Sequence, residues 1–143
     1  MMIDTGKKLS PPVNFSYGGN ISNTLLSHTI LNSALSEGGP LLQDKVVEGL
    51  FKHYFTDEGD LMDKDALFRI GSEAGMEIES LKKLLLEESN IKERELIKIE
   101  EMQWKRKFKI SGVPFFIFNS KYALSGAQEP KAFLDVFGQI ADE

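Results

Sequence analysis

The chain is predicted to be an α/β domain, mostly α, in which several helices precede a β-hairpin and a closing helix. Three observations predict this class. Apolar residues recur at spacings of three and four from about residue 23 to residue 108. The period then changes at Pro114, where an aromatic and β-branched run begins, and helical spacing returns after Pro130. With 143 residues and 41% hydrophobic content, the chain is long enough for one domain with a sizeable core.

Residues 1–21 hold Pro11-Pro12 and Gly18-Gly19 and read as extended or irregular structure. Within them Val13, Phe15 and Tyr17 alternate with Asn14 and Ser16, the pattern of a short strand or of a lid over apolar surface. Asn23-Thr24 then caps a first helix over about 23–37, carried by Leu25, Leu26, Thr29, Ile30, Ala34 and Leu35 and ended by Gly38-Gly39. Pro40 suits a first helical position, and Leu41, Leu42, Val46, Val47, Leu50, Phe51, Tyr54 and Phe55 make a broad stripe on a second helix over about 40–56.

Asp63 caps a shorter helix bearing Ala66, Leu67, Ile70 and Ala74, and Gly75 closes it in the left-handed position. A fourth helix starts near Glu77–Ser80 with Leu81, Leu84 and Leu85 facing inward. From Ile91 to Phe108 the sequence is strongly helix-forming and charged, with no sustained heptad, so it reads as a long surface helix. Pro114–Asn119 is a strand, Asn119-Ser120-Lys121 a turn, and Tyr122–Leu124 the returning strand. Gly126 breaks it and Pro130 opens the last helix, with Ala132, Phe133, Val136, Phe137 and Ile140 on its buried face. A lone two-stranded hairpin is marginal in water, so helices must cover it or further strands must join it.

Composition excludes several function classes. A net charge of −5, from 17 basic and 22 acidic residues, argues against a phosphate-tracking surface, and no nucleic acid is expected. The absence of cysteine excludes disulfides, thiolate zinc and thiol redox chemistry by these residues alone. The first residues lack the apolar stretch of a secretory signal, which makes the cytoplasm the default compartment. The longest apolar run, Val113–Phe118, falls far below the ~20 residues of a membrane-spanning helix.

Few residues carry chemistry. Gly112-Val113-Pro114 reads either as a trans proline that begins a strand, the commoner case, or as a cis-proline turn. The cis form would leave the Val113 amide and carbonyl open to an extended peptide or thiol ligand. His28 lies on the first helix among Leu25, Thr29 and Leu31, where a packing role is commoner than a functional one; His53 has a weaker case. The two histidines have no metal-ligand spacing, and no metal is expected. A calcium loop starting at Asp63 would need an oxygen ligand at Leu67 and a glycine at Phe68, so Asp57–Asp65 reads as a polar loop and helix start. Gly18-Gly19 and Gly38-Gly39 lack the strand, spacing and lysine of a phosphate loop, and no nucleophile elbow is present.

Ser111-Gly112-Val113-Pro114-Phe115-Phe116, followed by Lys121-Tyr122-Ala123-Leu124-Ser125-Gly126-Ala127-Gln128 and Pro130, resembles the C-terminal signature of DsbA-like thioredoxin proteins of the FrnE type. Asn23-Thr24 with His28, and Leu50-Phe51 through Tyr54-Phe55 to Ala74-Gly75, are similar to the helical insertion of that group. Val13–Tyr17 resembles the segment before its Asn-Thr helix, so the likeness spans almost the whole chain.

This resemblance implies a thioredoxin-like fold, incomplete here, in a family of disulfide oxidoreductases and isomerases. Kappa-class glutathione transferases and hydroxychromene-carboxylate isomerases are wider relatives. In the family a first strand and a helix beginning Cys-x-x-Cys, or a catalytic serine, precede the matched region, and no residue here corresponds to them. Residues 1–143 then form a single partial domain, with a helical insertion over about 23–109 and a β-β-α half over 110–143. Val113 and Pro114 match the cis-proline turn that lies against the thiols and binds the substrate backbone, and His28 matches a histidine of the insertion helix. The expected substrate-binding residues are thus Gly112, Val113, Pro114 and His28, with no catalytic residue and no cofactor; the chain reads as a DsbA/FrnE-type oxidoreductase or isomerase inactive alone, or alternatively as a non-catalytic peptide- or glutathione-binding module or a partner-completed structural subunit. The Pro114–Asn119 strand is expected to expose an edge that the N-terminal segment, a second copy or another polypeptide covers.

Overall fold

The computed structural model describes residues 2–86 and 91–143. In chain order the elements are α1 (Met2–Lys7), α2 (Leu25–Phe55), α3 (Lys64–Ala74), α4 (Ile78–Leu86), α5 (Ile91–Phe108), β1 (Phe115–Phe118), β2 (Tyr122–Ser125) and α6 (Pro130–Ala141). The mostly helical class with a hairpin and closing helix is the predicted one. Two compact units divide the chain, Met1–Lys98 and Ile99–Glu143, and the boundary falls inside α5.

The first unit is a helical assembly built around α2. The two helices expected over 23–37 and 40–56 are the arms of one bent element, broken only at Gly39, whose φ of 70° and ψ of −166° suit glycine alone. Pro40, lacking an N–H and fixed near helical φ, then starts the second arm. Leu26, Ile30 and Ala34 from the first arm and Val46 and Leu50 from the second enter one core with Leu61, Leu67, Ile70, Met76, Leu81, Leu84 and Leu85. The α2 stripe is wider than the surface that covers it, so Leu41 and Phe51 remain exposed.

Local chemistry sets the borders of α3. The Asp63 carboxylate accepts the Asp65 and Ala66 amides at 3.0 and 3.2 Å, which satisfies two donors of the first turn. At the other end the Gly75 N–H reaches the Gly71 and Ser72 carbonyls and Gly75 adopts φ 103°. Gly71 also lets α4 approach: a Cβ there would lie 2.5 Å from Leu81 Cδ2.

The N-terminal residues differ from expectation over 2–7, while residues 13–17 follow the lid rather than the strand of the two readings offered for them. Residues 2–7 form a short helix rather than irregular structure, and the Val13–Tyr17 alternation forms no strand. The chain instead folds back on α1, where the Val13 N–H bonds the Gly6 carbonyl at 3.0 Å, and continues as an extended strap. Phe15 of the strap meets Phe55 edge-on at 6.2 Å, and the Ser16 N–H reaches the Phe55 carbonyl at 2.6 Å, a vacant acceptor at the end of α2.

The second unit holds the end of α5, the hairpin and α6. Strand β1 pairs antiparallel with β2 in the register Phe115 to Ser125, Phe116 to Leu124, Ile117 to Ala123 and Phe118 to Tyr122. Asn119 and Ser120 turn the chain with φ of 50° and 56°, and the Lys121 N–H returns to the Phe118 carbonyl at 3.0 Å. Strand alternation sends Phe116 and Phe118 toward α6, where Phe116 meets Phe133 at 4.9 Å and Phe118 meets Phe137 at 5.6 Å. Phe115 lies on the opposite face beside Phe108, which stacks on Trp104. The buried face expected for α6 is only partly covered: Val136 is buried, but Phe137 is 51% exposed. Two short strands offer too little surface to cover a three-turn helix.

Candidate functional site

Residues 109–114 link α5 to β1 in the second unit. The α5 helix ends at Phe108, Lys109 takes a left-handed φ of 53°, and the Ile110 N–H bonds the Lys105 carbonyl at 3.1 Å. The chain then emerges into solvent. Gly112 has open space where a side chain would stand, and Val113 is 88% exposed. The Val113–Pro114 bond is cis, as is Ser10–Pro11.

The backbone groups of this turn divide into used and unused. The Pro114 carbonyl accepts the Gly126 N–H at 2.8 Å, which ties the turn to the end of β2. Among the described residues neither the N–H nor the C=O of Val113 has a hydrogen-bond partner. Gln128 steadies the segment after β2 by donating to the Ser125 carbonyl at 2.7 Å. One rigid anchor beside one pair of open groups is an arrangement suited to an extended main chain, which needs a donor and an acceptor on the same residue. Beyond the turn, each strand of the hairpin has only the other as strand partner among the described residues.

His28 lies in the first unit and is exposed near the start of α2, where its own N–H bonds the Thr24 carbonyl at 3.0 Å. Its side chain is therefore not the half-buried packing group that the sequence suggests. Gly112, Val113 and Pro114 are brought together in one turn of the second unit, while His28 is an exposed position of the first. His53 is half-buried, and its ring occupies the space where a side chain at Gly59 would stand. Its Nε2 donates to the Asp60 carbonyl at 3.3 Å.

The sequence reads Asp57–Asp65 as a polar loop and does not show that Glu58 and Asp60 hold the strap. Glu58 accepts from the Ser16 hydroxyl and, at 2.9 Å, from the Gly18 N–H; both bonds hold its carboxyl below the usual carboxylate range. Asp60 accepts from the Ser22 hydroxyl at 2.5 Å and the Met62 N–H at 2.7 Å, with the same effect. Together they fasten the strap to the loop after α2. A hint existed in the spacing of Ser16, Gly18 and Ser22, since small polar residues in an extended segment suit carboxylate partners.

Among the described residues no group of histidine, aspartate and glutamate could hold a metal ion. No helix among them is long and apolar enough to cross a membrane. The 143 residues supply no cysteine. No curated protein matches the chain. A family model described as the DSBA-like thioredoxin domain matches residues 5–138.

Proposed function

The chain belongs to the DSBA-like thioredoxin domain family, and from that premise we propose that it presents an extended peptide or thiol ligand without performing disulfide exchange itself. Thiol–disulfide exchange begins with attack by a thiolate, and these residues contain none. The family ties the chain to oxidoreductase chemistry, while the composition confines its share to binding. Within the family, the Ser111–Phe116 and Lys121–Gln128 motifs favour the FrnE type. Residues 23–109 then serve as the helical insertion and residues 110–143 as the β-β-α half of the fold. A cytoplasmic setting suits the same reading, since a chain without disulfides draws nothing from an oxidising compartment.

The open N–H and C=O of exposed Val113 carry the proposal. An extended ligand would accept from the amide and donate to the carbonyl, as in strand addition, with Gly112 leaving room for its backbone. Titration of the isotope-labelled chain with a short extended peptide and with reduced glutathione should move the Gly112 and Val113 amide resonances saturably. Replacing Val113→Pro deletes the donor and should weaken peptide binding about 2- to 10-fold, the value of one hydrogen bond. Resonances that stay fixed at millimolar ligand would remove the binding role. An insulin-reduction assay should give only background turnover, and turnover above it would overturn the non-catalytic assignment.

A second reading rests on the edge of β1 away from β2. The strand Phe-Phe-Ile-Phe carries no charge or proline to discourage pairing, so a further strand from a second copy or another polypeptide would complete the sheet. Sedimentation of the pure chain over a hundredfold concentration range tests the self-association branch. A monomer throughout would leave only a different polypeptide as the completing strand.

A further inference from the structure

A cleft in the first unit is lined by polar side chains of three helices together with Leu84. A cavity of about 250 Å³ opens between the first arm of α2 and α4, with the first turn of α5 beside it. Thr29, Asn32 and Ser33 line one wall and Ser80 and Lys83 the other, with Glu93 contributed by α5. Positions 29, 32 and 33, like 80 and 83, follow helical spacing, so each helix turns a polar stripe toward the cleft. These stripes flank the buried Ile30, Ala34, Leu81 and Leu84, which would pack more simply against apolar neighbours.

Two charged groups give the cleft its chemistry. Glu93 Oε2 is shut off from solvent and has no hydrogen-bond partner among the described residues. A buried carboxylate oxygen without a donor is costly, and a cationic donor entering the cleft would satisfy it. The Lys83 side chain takes part in no ion pair among the described residues, although it lines the same cleft. The Thr29 hydroxyl already donates to the Leu25 carbonyl at 2.9 Å, so its oxygen is left as an acceptor.

We propose that this cleft binds a small zwitterion of amino-acid size, whose ammonium group donates to Glu93 and whose carboxylate meets Lys83. Opposite charges on the lining match opposite charges on one ligand, and the Asn32 amide and Ser33 hydroxyl, which have no side-chain partner among the described residues, suit the polar remainder. The volume accommodates a free amino acid and excludes a folded partner. The site is independent of the Val113 turn and would stand if peptide binding there failed.

Calorimetry and amide-shift titration of the full chain with L-serine, L-glutamine, glucose, acetate and methylammonium decide the matter. Serine or glutamine should bind saturably and move the Thr29, Ser33 and Ser80 resonances, while acetate or methylammonium alone binds at least tenfold more weakly. Glu93→Gln and Lys83→Met should each reduce amino-acid affinity at least tenfold, with unchanged circular dichroism showing that the fold is intact. Affinity equal to the parent in either variant, binding of glucose in preference to the amino acids, or no shift at 10 mM amino acid would overturn the proposal.

Discussion

Glu58 and Asp60 each hold a residue far upstream in sequence, and each does so as a charged acceptor. Because these hydrogen bonds depress both carboxyls in the folded chain, their contribution is complete above the ordinary carboxylate range of about 4. It is lost as pH falls through the lower folded values. The protection factors of the Ser16 and Gly18 amides, taken relative to the intrinsic exchange rate at each pH, should therefore fall on acidification from pH 6 to pH 3, before that of Leu81 in the core. Glu58→Gln should loosen the same amides at neutral pH; equal protection in parent and variant would show that the strap is held otherwise. Ser120 presents the opposite case, a residue in a conformation its side chain disfavours, with φ of 56°. Ser120→Gly should stabilise the hairpin by about 0.5–1 kcal/mol, read from slower exchange in Tyr122–Ser125.

Elements were legible wherever their borders are written in local chemistry. Asp63 and Gly75 bound α3, Pro130 opens α6, and Asn119-Ser120 closes the hairpin, and each acts through its own few neighbours. What escaped the sequence depends on distant partners. Helix α1 contains Gly6, a poor helix former, and Gly6 is buried where residues 13–15 fold back upon it. The Glu93 cleft escaped for the same reason, since its walls are far apart in the chain. The Gly112–Pro114 turn was visible as a motif, but the open Val113 groups were not, because pairing is a property of the folded backbone. At the bend of α2, Gly39→Ala should cost about 1–3 kcal/mol, since an L side chain opposes φ 70° at that ψ. Leu81→Ala, at a position with no exposure, should cost about 2–5 kcal/mol. Thermal denaturation checks both, and a variant as stable as the parent would contradict the argument behind it.

The molecule distributes its core unevenly. All twelve residues of the buried apolar cluster belong to the first unit, whereas Val136 is the buried apolar residue of the second among those described. Stability should follow, with native-state exchange slowest at Ile30, Leu67 and Leu81 and faster by orders of magnitude in β1 and β2. A binding partner at the edge of β1 away from β2 should narrow that difference, because a ligand that binds only the folded form adds to its stability. Uniform protection across both units would refute this division.

The one tryptophan of the chain has a practical consequence. Trp104 stacks on Phe108 at 5.7 Å with the Lys107 ammonium 5.2 Å from its ring, and all three lie in the second unit. Its emission is thus a built-in optical reporter placed in the thinly cored unit. Far-ultraviolet circular dichroism, by contrast, is dominated by the helices of the first. A single melt followed by both signals separates the two units without any label.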